Sequence, residues 1–380
     1  MNTPNIRFKG YADNWEQRKL GDIVDVCSGR DYKHLDEGDI PVYGTGGYML
    51  SVSEALSEKD DAIGIGRKGT IDKPYVLKAP FWTVDTLFYC IPKTNYDLDF
   101  VYATYQKIDW KSMDESTGVP SLSKNAINAV SVAVPNKDEQ TRIGQHFKNI
   151  DNLITLQQRK CDDLQEVKKY MLQKLFPQNG AKIPEIRISG FTGEWKKRKF
   201  SEFTWPAGTR NKNDLDLEPY AITNEYGFIK QSEAHDDFGY MKNTDRKAYN
   251  IVKPNSFAYN PARINVGSIG YYTGKDDVIV SSLYEVFKTE DYVDDRFLWH
   301  WFKSDEFTKW IEKLQEGSVR LYFYYDKLSE CQMFMPSVEE QREIASYLDN
   351  LDNIIALQQR KCNDLQEVKK YMLQNMFPSK

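Results

Sequence analysis

One stretch occurs twice in this chain, and that repetition constrains the fold more than any other feature. Residues 151–177 read DNLITLQQRKCDDLQEVKKYMLQKLFP and residues 352–378 read DNIIALQQRKCNDLQEVKKYMLQNMFP, so five of the 27 paired positions differ. The offset between the copies is 201 residues. An internal repeat this similar indicates a duplicated structural unit.

Each copy has the composition and the periodicity of a long helix. It contains no internal Gly or Pro and is rich in Leu, Gln, Lys, Glu and Met, which favour helices. Apolar residues recur at alternating steps of four and three, the heptad spacing of helices that pair along a seam. The predicted seam and partner-helix residues are Ile154, Cys161, Leu164, Met171, Ile355, Cys362, Leu365 and Met372.

The ends of both helices also have recognisable signals. Asn136 with Glu139, and Ser337 with Glu340, fit capping boxes upstream of the repeats. Prolines at 177 and 378 are expected to end the helices. Because a single amphipathic helix is marginal in water, each copy needs a partner. A twofold relation would pair the copies antiparallel, whereas the alternative packs each helix on its own globular domain.

The duplication extends beyond the helices. Residues 4–20, PNIRFKGYADNWEQRKL, match 184–200, PEIRISGFTGEWKKRKF, at an offset of 180 residues. The middles of the two units hardly resemble each other, but both have the short β-branched and aromatic runs of β-rich domains. A shared frame with two divergent middles suggests common assembly and two recognition tasks. The predicted segments are 1–135, a β-rich domain; 136–178, a helix; 179–183, a linker; 184–336, a second β-rich domain; and 337–380, a second helix.

Composition excludes several classes of protein. No apolar run approaches the roughly 18 residues of a membrane span, so none is predicted. Five scattered cysteines, an odd number without CxxC spacing, favour reduced thiols in the cytoplasm. The formal charge of −5 argues against a generally basic nucleic-acid binder but allows a local basic face. No metal site is predicted, because the four histidines lie far apart at His34, His146, His235 and His300.

Two short motifs are similar to catalytic signatures but lack the context that the chemistry needs. Gly64–Gly69 matches GxGxxG, yet Pro74 follows closely and no helical pattern begins there. Asn260–Arg263 reads NPAR and is similar to the NPP-aromatic signature of adenine methyltransferases, without its second proline or its base-stacking aromatic. We therefore predict neither a nucleotide site nor methyl transfer by this chain.

Polar, glycine-containing loops in the two middles are the candidate binding sites. Their side chains can bond base edges and phosphates, and glycine lets backbone amides approach closely. An arginine can bind a guanine edge through two hydrogen bonds, and an asparagine can do the same for adenine. The candidate residues are Tyr43, Thr45, Arg67, Lys68, Thr70, Ser121, Ser123 and Lys124 in the first middle, and Asn260, Arg263, Asn265, Ser268, Arg320, Tyr322 and Tyr324 in the second.

The order of these elements resembles the DNA specificity (S) subunit of Type I restriction-modification enzymes. The matching segments are Pro4–Lys19, Pro135–Gln140, Asp151–Pro177, Pro184–Lys199, Pro336–Gln341 and Asp352–Pro378. The resemblance implies an α+β fold with a pseudo-twofold internal repeat. Two β-rich target recognition domains would be separated by two long antiparallel helices that form a coiled coil. Each domain would read one half of a bipartite site in double-stranded DNA.

The resemblance also implies that the chemistry belongs to other chains. Two modification (methyltransferase) subunits would bind S-adenosylmethionine and methylate adenine. Two restriction (nuclease and translocase) subunits would use ATP and Mg. This chain would then have no catalytic residue and no cofactor, and the complex would be cytoplasmic. A 27-residue helix, about 40 Å long, would separate the readers by about 12 base pairs. The alternative is a coiled-coil assembly scaffold without DNA recognition.

Overall fold

The computed structural model describes residues 3–224, 227–234, 246–318 and 320–378, and His235 lies outside them. The chain forms two compact units. Unit 1 contains Met1–Lys160 and Gln358–Lys380, and unit 2 contains Cys161–Leu357. The units cut across the five segments predicted from the sequence, because each long helix belongs partly to one unit and partly to the other.

The first half of the chain contains nine described strands and four described α-helices, the last of which continues into unit 2. The strands are β1 Glu16–Lys19, β2 Val24–Ser28, β3 Glu37–Gly44, β4 Gly47–Val52, β5 Ala62–Gly66, β6 Tyr75–Leu77, β7 Trp82–Thr83, β8 Leu87–Pro92 and β9 Ser131–Val134. The helices are α1 Leu20–Ile23, α2 Leu98–Lys107, α3 Lys124–Ala129 and α4 Lys137–Lys174.

Two sheets form the middle of unit 1. Four antiparallel strands lie in the order β2-β8-β5-β6, and a second sheet has the order β4-β3-β7, in which β3 and β7 are parallel. A separate ladder pairs β1 with β9. Strand β5 is buried at every position, as expected for an inner strand covered on both faces. The core beside it contains the contacting rings of Trp15, Phe100 and Phe377.

The second half of the chain repeats the order of elements seen in the first half, with additional strands. Its described strands are β10 Lys196–Lys199, β11 Thr204–Pro206, β12 Thr209–Arg210, β13 Pro219–Thr223, β14 Gly227–Lys230, β15 Asn250–Val252, β16 Ser256–Tyr259, β17 Ile269–Tyr272, β18 Val278–Val280, β19 Glu285–Thr289 and β20 Gln332–Met335. Its described helices are α5 Gln231–Ala234, α6 Asp295–Trp301, α7 Asp305–Leu314, α8 Tyr325–Glu330 and α9 Val338–Asn375.

The two middles share one strand topology despite their dissimilar sequences. In unit 2 the sheet β11-β19-β16-β17 repeats the order β2-β8-β5-β6, and the ladder β10-β20 repeats β1-β9. The arrangement β4-β3-β7 recurs as β14-β13-β18, again with a parallel pair, β13 and β18. Among the described residues of unit 2, β15 and β12 extend this second sheet beyond β18. Part of the extra length of the second unit therefore widens one sheet.

The long helices α4 and α9 are 38 residues each, or about 57 Å at 1.5 Å per residue. Both begin upstream of the near-identical stretch and end three residues before Pro177 and Pro378, since a proline disfavours helical geometry in the residue before it. The estimate of about 12 base pairs assumed a helix of 27 residues, which is too short. That spacing therefore has no support from the helix length.

The helices pair antiparallel within each unit. In unit 1 Asp151 of α4 forms an ion pair with Lys369 of α9, and further along α4 the thiol of Cys362 donates to Gln158 at 3.6 Å. In unit 2 Lys168 of α4 pairs with Asp352 of α9 in the same register. The antiparallel arrangement predicted from the repeat is confirmed, and all eight predicted seam residues are buried or half-buried.

An arginine–glutamate pair ties the start of each long helix to its N-terminal segment. Arg7 binds both carboxylate oxygens of Glu139 at 2.7 and 2.8 Å, and Arg187 binds those of Glu340 at 2.8 Å each. Both carboxylates are buried. Hydrogen bonding to the glutamate raises the pKa of each arginine. The predicted capping boxes are thus only half formed: Asn136 accepts from the Glu139 amide at 3.0 Å, while the carboxylate binds the arginine.

Candidate nucleic-acid interface

A hairpin loop occupies the same topological place in both units. It joins β5 to β6 in unit 1 and β16 to β17 in unit 2. The amide of Leu122 donates to the Arg67 carbonyl at 3.0 Å, and the amide of Phe323 donates to the Pro261 carbonyl at 3.0 Å. The segments GRKGT and NPARINVGS, which the sequence did not align, are therefore structural equivalents.

A second loop packs against this hairpin loop in each unit. It closes through a hydrogen bond from the Glu115 amide to the Ser121 carbonyl at 3.1 Å in unit 1, and from Glu316 to Tyr322 at 2.9 Å in unit 2. The residue that follows, Leu122 or Phe323, is buried. Helix α3 or α8 then begins. Both loops that were predicted to bind DNA thus have counterparts at matched positions.

The structure brings most of the candidate residues of unit 1 together. Lys68 forms a β-bridge with Ser121, and the Gly69 amide donates to the Pro120 carbonyl at 2.8 Å. Gly69 has φ +89°, a left-handed conformation that favours glycine, and a Cβ built there would lie 3.8 Å from the Thr45 hydroxyl. Loop 44–47, the GRKGT loop and loop 116–125 therefore form one continuous surface.

The exposed charges of this surface come from neighbouring loop positions. Arg67, Lys68 and Lys124 are exposed, and Thr70 is half-buried. Among the described residues, the guanidinium of Arg67 has one long hydrogen bond, 3.4 Å, to the Asp85 carbonyl, which leaves other donors facing outward for a ligand. An open arginine and lysine beside a glycine backbone suit contacts to a base edge and a phosphate.

Two candidate residues of unit 1 have clear internal roles. Tyr43 is half-buried between the rings of Tyr48 and Tyr75, whose centroids lie 6.3 and 6.2 Å away. Ser123 caps α3, accepting from the Ala126 amide at 3.0 Å, and its hydroxyl donates to Glu115. Their side chains shape the surface. In the hairpin that contains Tyr43, the exposed large side chains are Tyr48 and Met49.

In unit 2 six of the seven candidate residues line one cleft of about 1020 Å³. Tyr322 and Tyr324 stack with centroids 5.6 Å apart and ring planes 6° apart. They alternate with Phe323, which is buried, so the two tyrosines share the open face. The candidate residues that line the cleft are Asn260, Arg263, Asn265, Arg320, Tyr322 and Tyr324.

Ser268, predicted together with these residues, has a different environment. It is buried, and its hydroxyl donates to the Ile222 carbonyl at 2.7 Å. The side chain therefore joins the start of β17 to β13 and does not reach the cleft. It was predicted to lie on the surface because it belongs to a polar, glycine-containing segment that is typical of an open loop.

Several residues that line the two surfaces were missed by sequence reasoning. In unit 1 a cleft of about 720 Å³ includes Lys33, Tyr48 and Met49. In unit 2 the cleft also contains Arg210 and Leu283. These residues lie on separate segments that only the sheet topology brings together. The sequence therefore offers no signal that would have found them.

The cleft of unit 2 also contains a half-buried carboxyl group. Glu285, the first residue of β19, has a raised pKa because burial disfavours its charged form. The nearby Arg210 acts in the opposite direction. A carboxylate in such a place can accept a hydrogen bond from a cytosine amino group, so the cleft offers both donors and an acceptor.

A group of potential metal ligands lies elsewhere in unit 2. His300, Asp349 and Asp352 place ligand atoms within 4.8 Å of one another. Both carboxylates already face a cation, Arg296 for Asp349 and Lys168 for Asp352. Burial, then nearby positive charge, lowers the pKa of His300 to about 2. We interpret this cluster as an internal charge network that holds α6 against α9.

The chain matches the family model for the Type I restriction modification DNA specificity domain twice, over residues 12–169 and 159–367. These matches cover well over half of the sequence. The chain therefore belongs to the Type I restriction-modification DNA specificity family, and the resemblance noted from its repeated segments is confirmed.

Two characterised relatives are similar to the chain at low identity. The Type I restriction enzyme MjaVIII specificity subunit of Methanocaldococcus jannaschii is 22% identical over 71% of this chain. The chain spans 66% of the length of that relative, just under two thirds. The Type I restriction enzyme EcoDI specificity subunit of Escherichia coli is 20% identical, over 89% of this chain and 81% of the relative.

Solved structures support the same architecture. The S subunit of a Type I restriction-modification system from M. genitalium matches with a TM-score of 0.67 and 13% identity, covering 100% of both chains. A chain from a structure that describes complex assembly and conformational transition of the type I R-M system matches with a TM-score of 0.53 and 14% identity, over 94% of this chain and 96% of that one. At these identities the likeness establishes the fold. The predicted α+β fold with long repeat helices is confirmed.

Within the described residues, no helix combines the length and the apolar composition that crossing a membrane requires.

Proposed function

We propose that this chain is the sequence-reading subunit of a Type I restriction-modification complex and that each unit reads one half of a bipartite DNA target. The observation that carries the proposal is the repeated pair of loops. Both units place a hairpin loop and the loop before α3 or α8 side by side, joined by the same backbone hydrogen bond. The side chains on these loops differ, as expected for two readers of different half-sites.

The chemistry of the two surfaces supports base reading in the major groove. Arg67 in unit 1, and Arg263 and Arg320 in unit 2, are exposed and can bind a guanine edge through two hydrogen bonds. Asn260 and Asn265 can pair with adenine in the same way. Each good bidentate contact discriminates by roughly 1–3 kcal/mol against the wrong base, so a few of them suffice for a half-site.

The net charge of −5 is consistent with a chain that reads bases while other subunits supply much of the attraction to DNA. Affinity for DNA depends largely on phosphate contacts made by cations. We infer that partner subunits supply much of that attraction while this chain supplies discrimination. The scattered, odd-numbered cysteines support a cytoplasmic location for the complex.

We also propose that the catalytic groups lie on partner chains. Neither the GxGxxG segment nor the NPAR segment has the context of a cofactor or methyl-transfer site. Residues 64–66 are the last three of β5, and residues 67–69 lie in the loop that follows. No helix begins within these described residues, so no helix N-terminus faces a pyrophosphate. S-adenosylmethionine would be bound by two modification subunits, and ATP and Mg by two restriction subunits.

Repeated apolar side chains on the long helices support the binding of two modification subunits. In unit 1 Leu153 and Val368 are exposed. Leu153 directly precedes the seam residue Ile154, and Val368 directly precedes Lys369, which pairs with Asp151 of the other helix. Such positions lie along the same edge of an antiparallel pair. Their repeats in unit 2 are Ile354 and Val167, also exposed. Each unit therefore presents a similar apolar edge, and two similar edges suit two copies of one partner.

Exchange of one middle tests the proposal. Replacing residues 24–130 with the corresponding segment of another specificity subunit leaves the β1–β9 ladder and α4 in place. Mapping methylated adenines in cells that carry the complete system should then show a change in only one half of the site. The matched exchange of residues 204–330 should change only the other half. A change in both halves, or in neither, contradicts modular reading.

The assembly-scaffold alternative gives a different result. An assembly scaffold without DNA recognition would retain the mapped target no better than a scrambled duplex, even with the modification subunits bound. Preferential retention of the target excludes that alternative. Methyl transfer by the purified chain alone would contradict the assignment of catalysis to partners.

A further inference from the structure

Leu283 is placed where neither the turn nor the core requires an apolar residue. It occupies the third position of a tight turn between β18 and β19, closed by the Tyr284 amide donating to the Ser281 carbonyl at 3.0 Å. Such positions usually contain Asp, Asn, Ser or Gly. The side chain is 74% exposed, the largest value among the large apolar residues that the structure describes. Its side chain is therefore open to contact by a ligand.

The turn that presents Leu283 is held from both sides. Arg210 donates to the Ser282 carbonyl at 3.3 Å and to the Ala248 carbonyl at 2.5 Å. The side-chain amide of Asn250 donates to the Tyr284 carbonyl at 2.8 Å. A residue fixed in this way loses little conformational entropy when it contacts a ligand. The brace thus distinguishes Leu283 from an apolar residue on a loose loop.

The surroundings of Leu283 define what it can contact. It lines the same cleft as Asn260, Arg263 and Arg320, which are suited to the polar groups of base edges. In the major groove the one apolar group on a base edge is the C5-methyl of thymine. A fixed leucine among polar readers therefore matches a thymine beside the bases that those readers bind.

Unit 1 has the same turn with a different composition. The Leu87 amide donates to the Val84 carbonyl at 3.0 Å, and Arg67 donates to the Asp85 carbonyl at 3.4 Å. An arginine thus braces the second residue of the turn in both units. In unit 1 the third residue is Thr86, which is half-buried, and the exposed residue is Asp85. The apolar contact is offered by unit 2 alone at this place.

We propose that Leu283 is a specificity-determining residue that contacts the methyl group of a thymine in the half-site read by unit 2. This inference rests on the proposed function, since it requires that the cleft faces DNA. It also identifies one base pair of the half-site as A·T, read through the thymine methyl group. The composition of the loops alone does not identify that base pair.

The test removes one methyl group at a time from the target. The purified complex of this chain with its modification subunits is titrated with duplexes of the mapped target, in which each thymine in turn is replaced by deoxyuridine. For the wild-type protein one replacement should weaken binding about fourfold, the effect expected when one methyl group is no longer buried. For Leu283→Ala the thymine and deoxyuridine duplexes should bind equally at that position.

A matched variant controls for the loss of an exposed leucine. Leu215 is also exposed in unit 2 and lies outside the cleft lining, so Leu215→Ala should keep the wild-type sensitivity to deoxyuridine. Wild-type binding that ignores every thymine replacement, or a Leu283→Ala variant that stays sensitive, overturns the proposal for Leu283. Equal binding of target and scrambled duplexes would instead contradict the proposed function itself.

Discussion

Units 1 and 2 share their scaffold contacts but differ in the ion pair that holds a short helix against a long one. In both, a glutamine near the start of the long helix accepts from the backbone where the short helix begins: Gln140 from the Asp97 amide at 3.1 Å, and Gln341 from the Asp294 amide at 2.8 Å. These contacts show that α2 and α6 are equivalent helices, each packed on its own long helix.

The ion pair further along the same helices has its charges exchanged between the two units. In unit 1 Asp99 of α2 pairs with Lys148 of α4 at 2.8 Å. At the matched positions of unit 2, Arg296 of α6 pairs with Asp349 of α9. Exchanging the short helices would place aspartate opposite aspartate and arginine opposite lysine. Because the two long helices are copies of one repeated element, this reversal disfavours docking of each middle on the wrong helix, since like charges repel.

The largest expected effect tests the scaffold contact that both units share. Arg7→Ala should lower the free energy of unfolding of unit 1 by about 3–5 kcal/mol, because it leaves the buried Glu139 carboxylate unpaired. Arg187→Ala should do the same in unit 2. Hydrogen exchange resolved by unit measures both. Arg18→Ala, which breaks an exposed pair with Glu16, is the control and should cost far less, because solvent screens an exposed ion pair. Equal costs for Arg7 and Arg18 would contradict a common scaffold role for the buried pair.

The second prediction compares the reading surfaces. Arg67→Ala and Arg263→Ala should each weaken target binding by about 1–3 kcal/mol and relax one base position. The relaxed positions should fall in different half-sites, because the arginines belong to different units. Competition binding with single-base variants of the target measures this, with Arg18→Ala as the control. Relaxation of the same half-site by both variants would show that the units do not read separately.

The third prediction is that the stability of unit 2 depends more strongly on pH than the stability of unit 1. Folding lowers the pKa of His300 from 6.5 to about 2, and the matched residue of α2 is Ala103. Below pH 6.5 the unfolded chain binds a proton that the folded chain does not, so the stability of unit 2 falls as pH falls. The slope for this group is about 1.4 kcal/mol per pH unit.

Unfolding followed by unit-resolved hydrogen exchange between pH 7.5 and pH 5 measures that slope. His300→Gln should remove most of the extra pH dependence of unit 2 and leave unit 1 unchanged. An identical slope in the wild type and the variant would mean that other groups in unit 2 dominate its response to acid.

The smallest expected effect is on stability, but it tests the reversed ion pairs directly. Reversing the unit 1 pair with Asp99→Arg and Lys148→Asp should cost below about 1 kcal/mol, since the pair is partly exposed. Each single change should cost more than the double change. Refolding yield should fall for the double variant, because both middles then match either long helix. An unchanged yield would argue that charge reversal does not guide docking.

The long helices were predictable because their signal is repeated and periodic. Heptad spacing over residues 150–175 and 351–376 identified the seam, and duplication indicated the antiparallel partner. The seam residue Cys161 is buried while its neighbours on both sides are exposed, as the spacing requires. Residues 137–150 differ between the copies, but the cap residues Asn136 and Ser337 directly precede the observed helix starts.

The relation between the two middles could not be predicted in the same way. Strand order depends on pairings between distant segments, such as β5 with β8, and many apolar sequences satisfy them. The Arg7–Glu139 pair joins residues 132 positions apart, and neither motif points to the other. The candidate loops were found because polar residues and glycine mark turns, but the direction of an individual side chain, as at Ser268, depends on local packing.

The ion pairs between the long helices have a consequence for how such genes can change. Lys168–Asp352 and Lys369–Asp151 are made from one duplicated lysine and one duplicated aspartate. Each helix therefore contributes one lysine and one aspartate to the two ion pairs. Recombination that overwrites one copy of this stretch with the other leaves both ion pairs intact, so crossovers within it can bring in a new middle without disturbing the joint between helices.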